Sequence, residues 1–109
     1  MNGEWLSVEA AAGLEPGDVV RFDHGGRTFA VYRDEAGRLA ATDGLCTHAK
    51  VHLADGFVFG TEIECPKHNG RFDVHTGVAK GAPACVDLVV HPVRESADGS
   101  VELFVSSLP

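Results

Sequence analysis

Two short segments hold the residues best suited to chemistry, Cys46-Thr47-His48 and Cys65-Pro66-Lys67-His68-Asn69-Gly70. Each offers one thiol and one imidazole, and sixteen residues separate His48 from Cys65. Thiolate sulfur and imidazole nitrogen bind borderline and soft metals, so two such loops can grip one centre from opposite sides. A tight Cys-x-His or Cys-x-x-His backbone lets both side chains converge while spare N–H groups turn toward the sulfurs, and such bonds tune a cluster. Gly70 is expected to supply the conformational freedom that a chain folded closely around a metal requires. Two chemistries are open to this ligand set. A tetrahedral zinc site can use two Cys and two His, although zinc loops more often pair like ligands. A two-iron cluster, with two thiolates on one iron and two imidazoles on the other, suits one Cys and one His per loop.

Short strands are what the surrounding sequence offers to position these loops. Alternation of apolar and polar residues predicts strands from Asp18 to Phe22 and from Thr28 to Arg33, with His24-Gly25-Gly26 as the turn between them. Glu35-Ala36-Gly37 makes the next turn, and a strand over Arg38 to Thr42 delivers the chain through Asp43-Gly44 to the first cysteine. Phe57 to Phe59 and Thr61 to Glu64, separated by Gly60, predict two more, the second running into Cys65-Pro66. Val86 to His91 and Val101 to Val105 read as a closing hairpin with Ala97-Asp98-Gly99 as its turn. Helix is expected only over Ala10 to Leu14, where Gly13 and Pro16 limit it to about one turn.

Size and composition narrow the function. At 109 residues the chain supports one domain with one modest core and no second catalytic domain. Gly (13) and Pro (5) make up about a sixth of it, which favours turns over long helices. Nine Lys and Arg against sixteen Asp and Glu give a formal charge of −7, a field that disfavours nucleic acid and anionic membrane as partners. The same field favours a partner with a basic patch, an effect that salt weakens, although charge that merely keeps a small protein soluble would look the same. Met1 to Gly13 contains Glu4 and Glu9 and no basic residue, unlike a signal peptide, and no apolar run approaches the roughly 18 residues that cross a bilayer. A soluble, cytoplasmic protein is expected. Three cysteines, an odd number, fit metal binding in a reducing compartment better than a disulfide framework.

The segment from Cys46 through Gly77 resembles the Rieske proteins, which carry Cys-x-His, a spacer of about this length, and Cys-x-x-His. Leu53-Ala54-Asp55-Gly56, Arg71-Phe72-Asp73 and Thr76-Gly77 also look like family features, and Gly81-Ala82-Pro83-Ala84 is similar to the proline loop that covers the cluster. The resemblance spans about residues 5 to 105. It implies an all-β Rieske fold, with antiparallel sheets as a base and a small cluster-binding subdomain of about residues 44–82 within a single domain, 1–109. It also implies one [2Fe–2S] cluster per chain, with Cys46 and Cys65 on the buried iron and His48 and His68 on an outer iron facing solvent. No residue is expected to be catalytic. The implied role is one-electron transfer by a monomer, from a flavin-containing ferredoxin reductase to a terminal oxygenase. Rival roles are a small Rieske subunit of a larger reductase such as a nitrite reductase, a redox sensor, and a zinc-binding structural module.

Two departures refine the class within that resemblance. Respiratory Rieske proteins link their cluster loops by a further disulfide, and the matching positions here are Val51 and Lys67. The same relatives place a Ser and a Tyr hydroxyl near the cluster sulfurs, where this chain has Gly70 and Phe72, so the potential is expected near the low end of the Rieske range, roughly −150 mV. The pattern resembles the ferredoxins that feed ring-hydroxylating oxygenases, with Asn69 in place of the glycine common after the second His. Outside the motif, His24, His52, His75 and His91 are expected on the surface, and Cys85 as a small core residue. Lys50 and Lys67 are expected in solvent, and Trp5, Phe22, Phe29, Phe57, Phe59 and Phe104 in the core.

Overall fold

The structure, a computed structural model, describes residues 3–47, 50–67, 69–81 and 86–106. Among these, ten strands form three antiparallel sheets. The middle sheet is β2 (Val19–His24), β3 (Arg27–Arg33) and β4 (Leu39–Asp43) in that order. Gly25 and Gly26 join β2 to β3 with φ of 58° and 79°, the pair of left-handed residues that a two-residue type I′ hairpin demands. β1 (Gly3–Ser7), β10 (Val101–Ser106) and β9 (Val93–Glu95) make the second sheet, with β10 in the centre. The third is a meander of β5 (Phe57–Phe59), β6 (Glu62–Glu64), β7 (Arg71–Asp73) and β8 (Ala79–Gly81).

β3 lies between two apolar layers, which explains why Phe29 to Tyr32 is an unbroken buried run. Ala30 and Tyr32 pack on one side with Ile63, Phe72, Val74 and the two cysteines. Phe29 and Val31 pack on the other with Val8, Val101, Leu103 and Val105. Period-two alternation thus sends successive β3 side chains into different cores, and the sheet β2–β3–β4 is the shared wall. Polar groups in that wall are paired: Tyr32 Oη lies 2.8 Å from Thr42 Oγ1, which donates to the Asp43 carbonyl at 2.7 Å.

Four sequence expectations change here. Ala10 to Leu14 yields only a 3-10 turn, Glu9–Ala11. Val86 to His91 is not a strand: its Leu88 and His91 N–H groups donate to Gly77 and Ala41, and a single bridge joins Val90 to Thr42, so no continuous ladder forms. The closing hairpin is instead β9 with β10, after Pro92. Phe57 and Phe59 are 57% and 54% exposed, because in a three-residue strand only the middle residue, Val58, faces the core. Of the other aromatic residues Phe29 is buried, whereas Trp5, Phe22 and Phe104 are half-buried.

Candidate metal centre

Both cysteines start the loop of a small hairpin. In the first, Leu45 and His52 form the last rung, the Cys46 N–H donates to the Val51 carbonyl at 3.0 Å, and the Leu53 N–H donates to Gly44 at 2.8 Å. In the second, β6 and β7 are the arms, and the Cys65 N–H donates to the Gly70 carbonyl at 2.7 Å. Each cysteine N–H therefore closes onto the carbonyl five residues ahead. Among the described residues of the second loop, Asn69 is left-handed, with φ of 61°. Asn tolerates that region, so the strained position expected at Gly70 falls one residue earlier and needs no glycine. Gly70 is buried and supplies the carbonyl.

The two hairpins bring Cys46 and Cys65 together. The two residues are 5% and 0% exposed, both are free thiols, and they pack in the same buried cluster. Burial pushes the Cys65 thiol up from its ordinary range and the Cys46 thiol adds to this, while the Lys67 backbone N–H, aimed at the sulfur, opposes it. Two converging sulfurs in an apolar pocket, with an N–H directed at one of them, are a donor set that fits a metal–sulfur centre: bound iron would favour the thiolates, and the N–H would favour the extra charge of a reduced cluster. Leu53, Val58, Ile63, Phe72 and Val74 share the buried layer with both cysteines. His48 and His68 lie outside the described residues, as do Ala82-Pro83-Ala84 and Cys85. At the loop tips, Lys50 and Lys67 are exposed as expected, and Thr47 Oγ1 ties the first loop to the Val86 carbonyl at 2.6 Å.

His24 is exposed as expected, whereas the other three histidines outside the motif correct the surface expectation. His52 is buried, with its ring between Thr28 Oγ1 at 2.9 Å and the Ala54 N–H at 3.0 Å. His91 is buried with Nε2 2.7 Å from Asp43 and its ring edge on Phe29 at a centroid distance of 5.0 Å. His75, half-buried, lies 2.8 Å from Asp34, a carboxylate with no exposed side-chain surface. Asp34 also accepts from the Ala36 and Arg38 N–H groups, each at 2.9 Å. Burial would raise its pKa, but the hydrogen bonds from His75 and Arg38 outweigh this and hold the carboxyl below the usual range. With the Glu35 N–H on the Gly60 carbonyl at 3.1 Å, this pair fastens the β3–β4 turn to the meander that carries Cys65. A single sequence carries no signal for these straps, since histidine is not a typical turn or cap residue.

The chain matches the Rieske [2Fe–2S] domain family over residues 4–94. It is 43% identical over 94 residues to the ferredoxin component of the naphthalene 1,2-dioxygenase/salicylate 5-hydroxylase systems of a Ralstonia species, covering 86% of this chain and 89% of that one. It superposes with a TM-score of 0.85 and 36% identity on a chain in the complex of reduced oxygenase and oxidized ferredoxin in carbazole 1,9a-dioxygenase, covering 96% and 97% of the two chains. The small subunit of a putative NADH-dependent nitrite reductase from Mycobacterium tuberculosis also gives a TM-score of 0.85, covering 99% of this chain and 100% of that one, but at 19% identity it shows the shared fold alone. The chain therefore belongs to the Rieske [2Fe–2S] domain family, and its relatives include the electron-transfer ferredoxin components of dioxygenase systems.

Proposed function

We propose that this chain is a soluble, cytoplasmic, monomeric one-electron carrier, taking electrons from a flavin-containing reductase and delivering them to a terminal oxygenase. One [2Fe–2S] cluster per chain is held by Cys46, His48, Cys65 and His68, and residues 44–82 form the cluster-binding part of one domain. The observation that carries this is the convergence of two buried thiols from two hairpin loops, each loop having a histidine two or three residues further on. When bound, the cluster supplies the reversible one-electron couple. The protein's own groups do the rest: the apolar layer of Leu53, Val58, Ile63 and Phe72 keeps water from the sulfurs, and the Lys67 N–H stabilises charge there. The −7 charge favours a partner with a basic docking patch. Protein purified anaerobically should contain two irons and two sulfides per chain and give a Rieske-type EPR signal on reduction. It should also pass electrons to an aromatic-ring oxygenase at a rate that falls as salt rises. Stoichiometric zinc without sulfide would overturn the proposal.

Phe72 tests the expected low potential. Its ring is fully buried among the residues that pack on both cysteines, and it pairs with Ile63 across β6 and β7. A tyrosine hydroxyl placed there must find an acceptor, and a cluster sulfur becomes a better one on reduction. Phe72→Tyr is expected to raise the midpoint by tens of millivolts; a differential strength of about 1.5 kcal/mol corresponds to roughly 65 mV for a one-electron couple. Voltammetry showing no change, or a fall, with the cluster intact would place residue 72 away from the sulfurs.

A further inference from the structure

His52 is outside the proposed ligand set, yet its hydrogen bonds define every proton around the ring. The Ala54 N–H donates to Nδ1 at 3.0 Å, so Nδ1 carries no proton. Nε2 lies 2.9 Å from Thr28 Oγ1, and that hydroxyl donates its single proton to Asp23 Oδ1 at 2.6 Å, because a carboxylate only accepts. Thr28 Oγ1 must therefore accept from His52, and Nε2 bears the proton. The chain of hydrogen bonds runs from the Ala54 N–H through His52 and Thr28 to the accepting carboxylate of Asp23, from a loop beside Cys46 to the exposed edge of β2. A second ring proton would set Nδ1 against the Ala54 N–H, donor to donor. Burial likewise holds the imidazole below its ordinary range, with Arg21 adding to the effect and Asp23 and Asp55 opposing it.

The same ring sets the path of the first cysteine loop. His52 is half of the rung with Leu45, one residue before Cys46, and the N-cap of the 3-10 turn Leu53–Asp55. A Cβ at Gly44 would come within 2.5 Å of its Nε2 and 3.1 Å of the Phe29 carbonyl carbon, so glycine there leaves room for the imidazole between the hairpin and β3. We infer that His52, as the neutral Nε2–H tautomer, is a positioning residue for the cluster: with Thr28 it fixes the Cys46 hairpin to the β2–β3 hairpin at the placement that brings Cys46 to Cys65. The inference rests on Cys46 being a ligand, as proposed above. A rung that shifts carries Cys46 with it, because the Cys46 N–H and the Val51 carbonyl close the next step of the same hairpin.

Thr28→Val removes the middle of the relay without altering the Cys46 hairpin, Thr28→Ser restores the hydroxyl, and His52→Asn keeps an acceptor for Ala54 while giving up Thr28. In holoprotein whose fold is verified by far-UV circular dichroism, Thr28→Val and His52→Asn are expected to move the EPR lines of the reduced cluster and lower its midpoint. Cluster loss to a ferrous chelator should become about tenfold faster, the order expected for one buried hydrogen bond. Thr28→Ser should return all three to the parent values. Variants that lose thermal stability but keep the parental EPR lines and midpoint would overturn the inference and leave His52 as packing. Parent protein that binds neither iron nor sulfide would overturn the cluster proposal itself, a result read before any variant is made.

Discussion

Replacing Cys65 with serine is expected to abolish the cluster while leaving the three sheets folded. The Cys65 side chain is wholly buried against Cys46 and receives the Lys67 N–H, so nothing else at that point can supply a charged sulfur. A serine hydroxyl stays protonated near neutrality and is a hard, weak donor to iron. Losing a group that merely supports a ligand costs about 10–100-fold in metal affinity, and losing the ligand itself exceeds that. The sheets should survive because the Phe29, Val31 and Leu103 layer lies on the far side of β3 from the cysteines. Iron and sulfide analysis with far-UV circular dichroism checks both halves. Full cluster content in Cys65→Ser would remove Cys65 from the ligand set.

The second large effect belongs to Asp34. Its carboxylate accepts from Ala36, Arg38 and His75, and the first two are backbone N–H groups of the turn it folds. Asp34→Ala removes all of these at once, at about 3 kcal/mol for a buried, multiply bonded carboxylate. For a chain of this size that lowers Tm by about 15 °C. Asp34 has its pKa depressed in the folded state, so its stabilisation is complete above the unfolded value of about 3.9 and is lost as pH falls through the folded value. Asp34→Asn should therefore be less stable than the parent at neutral pH and show a smaller further loss below about pH 4. Thermal melts over that range decide it; parallel curves for parent and variant would mean that Asp34 is not the group that titrates. Because the Asp34–His75 pair fastens the meander, faster cluster loss should accompany the fall in Tm.

Local residue choice determined much of this protein. Gly25-Gly26 can be little other than a tight hairpin, since both residues adopt positive φ, and the apolar stretches on either side made β2 and β3 legible. The family was legible because the Cys-x-His and Cys-x-x-His segments, the turns beside them and their spacing lie close together in sequence. Side-chain direction was not legible where strands are short. Phe57-Val58-Phe59 is an apolar run without alternation, and only pairing with Glu64 and Glu62 decides which face meets water. Long-range pairing was equally hidden: β1 exists because β10, about a hundred residues later, offers its edge, and β9 displaced the expected strand at Val86 to His91. Histidine burial belongs to the same class, because Thr28, Asp34 and Asp43 reach His52, His75 and His91 across 24, 41 and 48 residues. The proposed ligand types and the turns follow from local chemistry, whereas the contacts that hold one cysteine hairpin against the other arise only when separate sheets pack and an otherwise exposed imidazole finds a fixed partner.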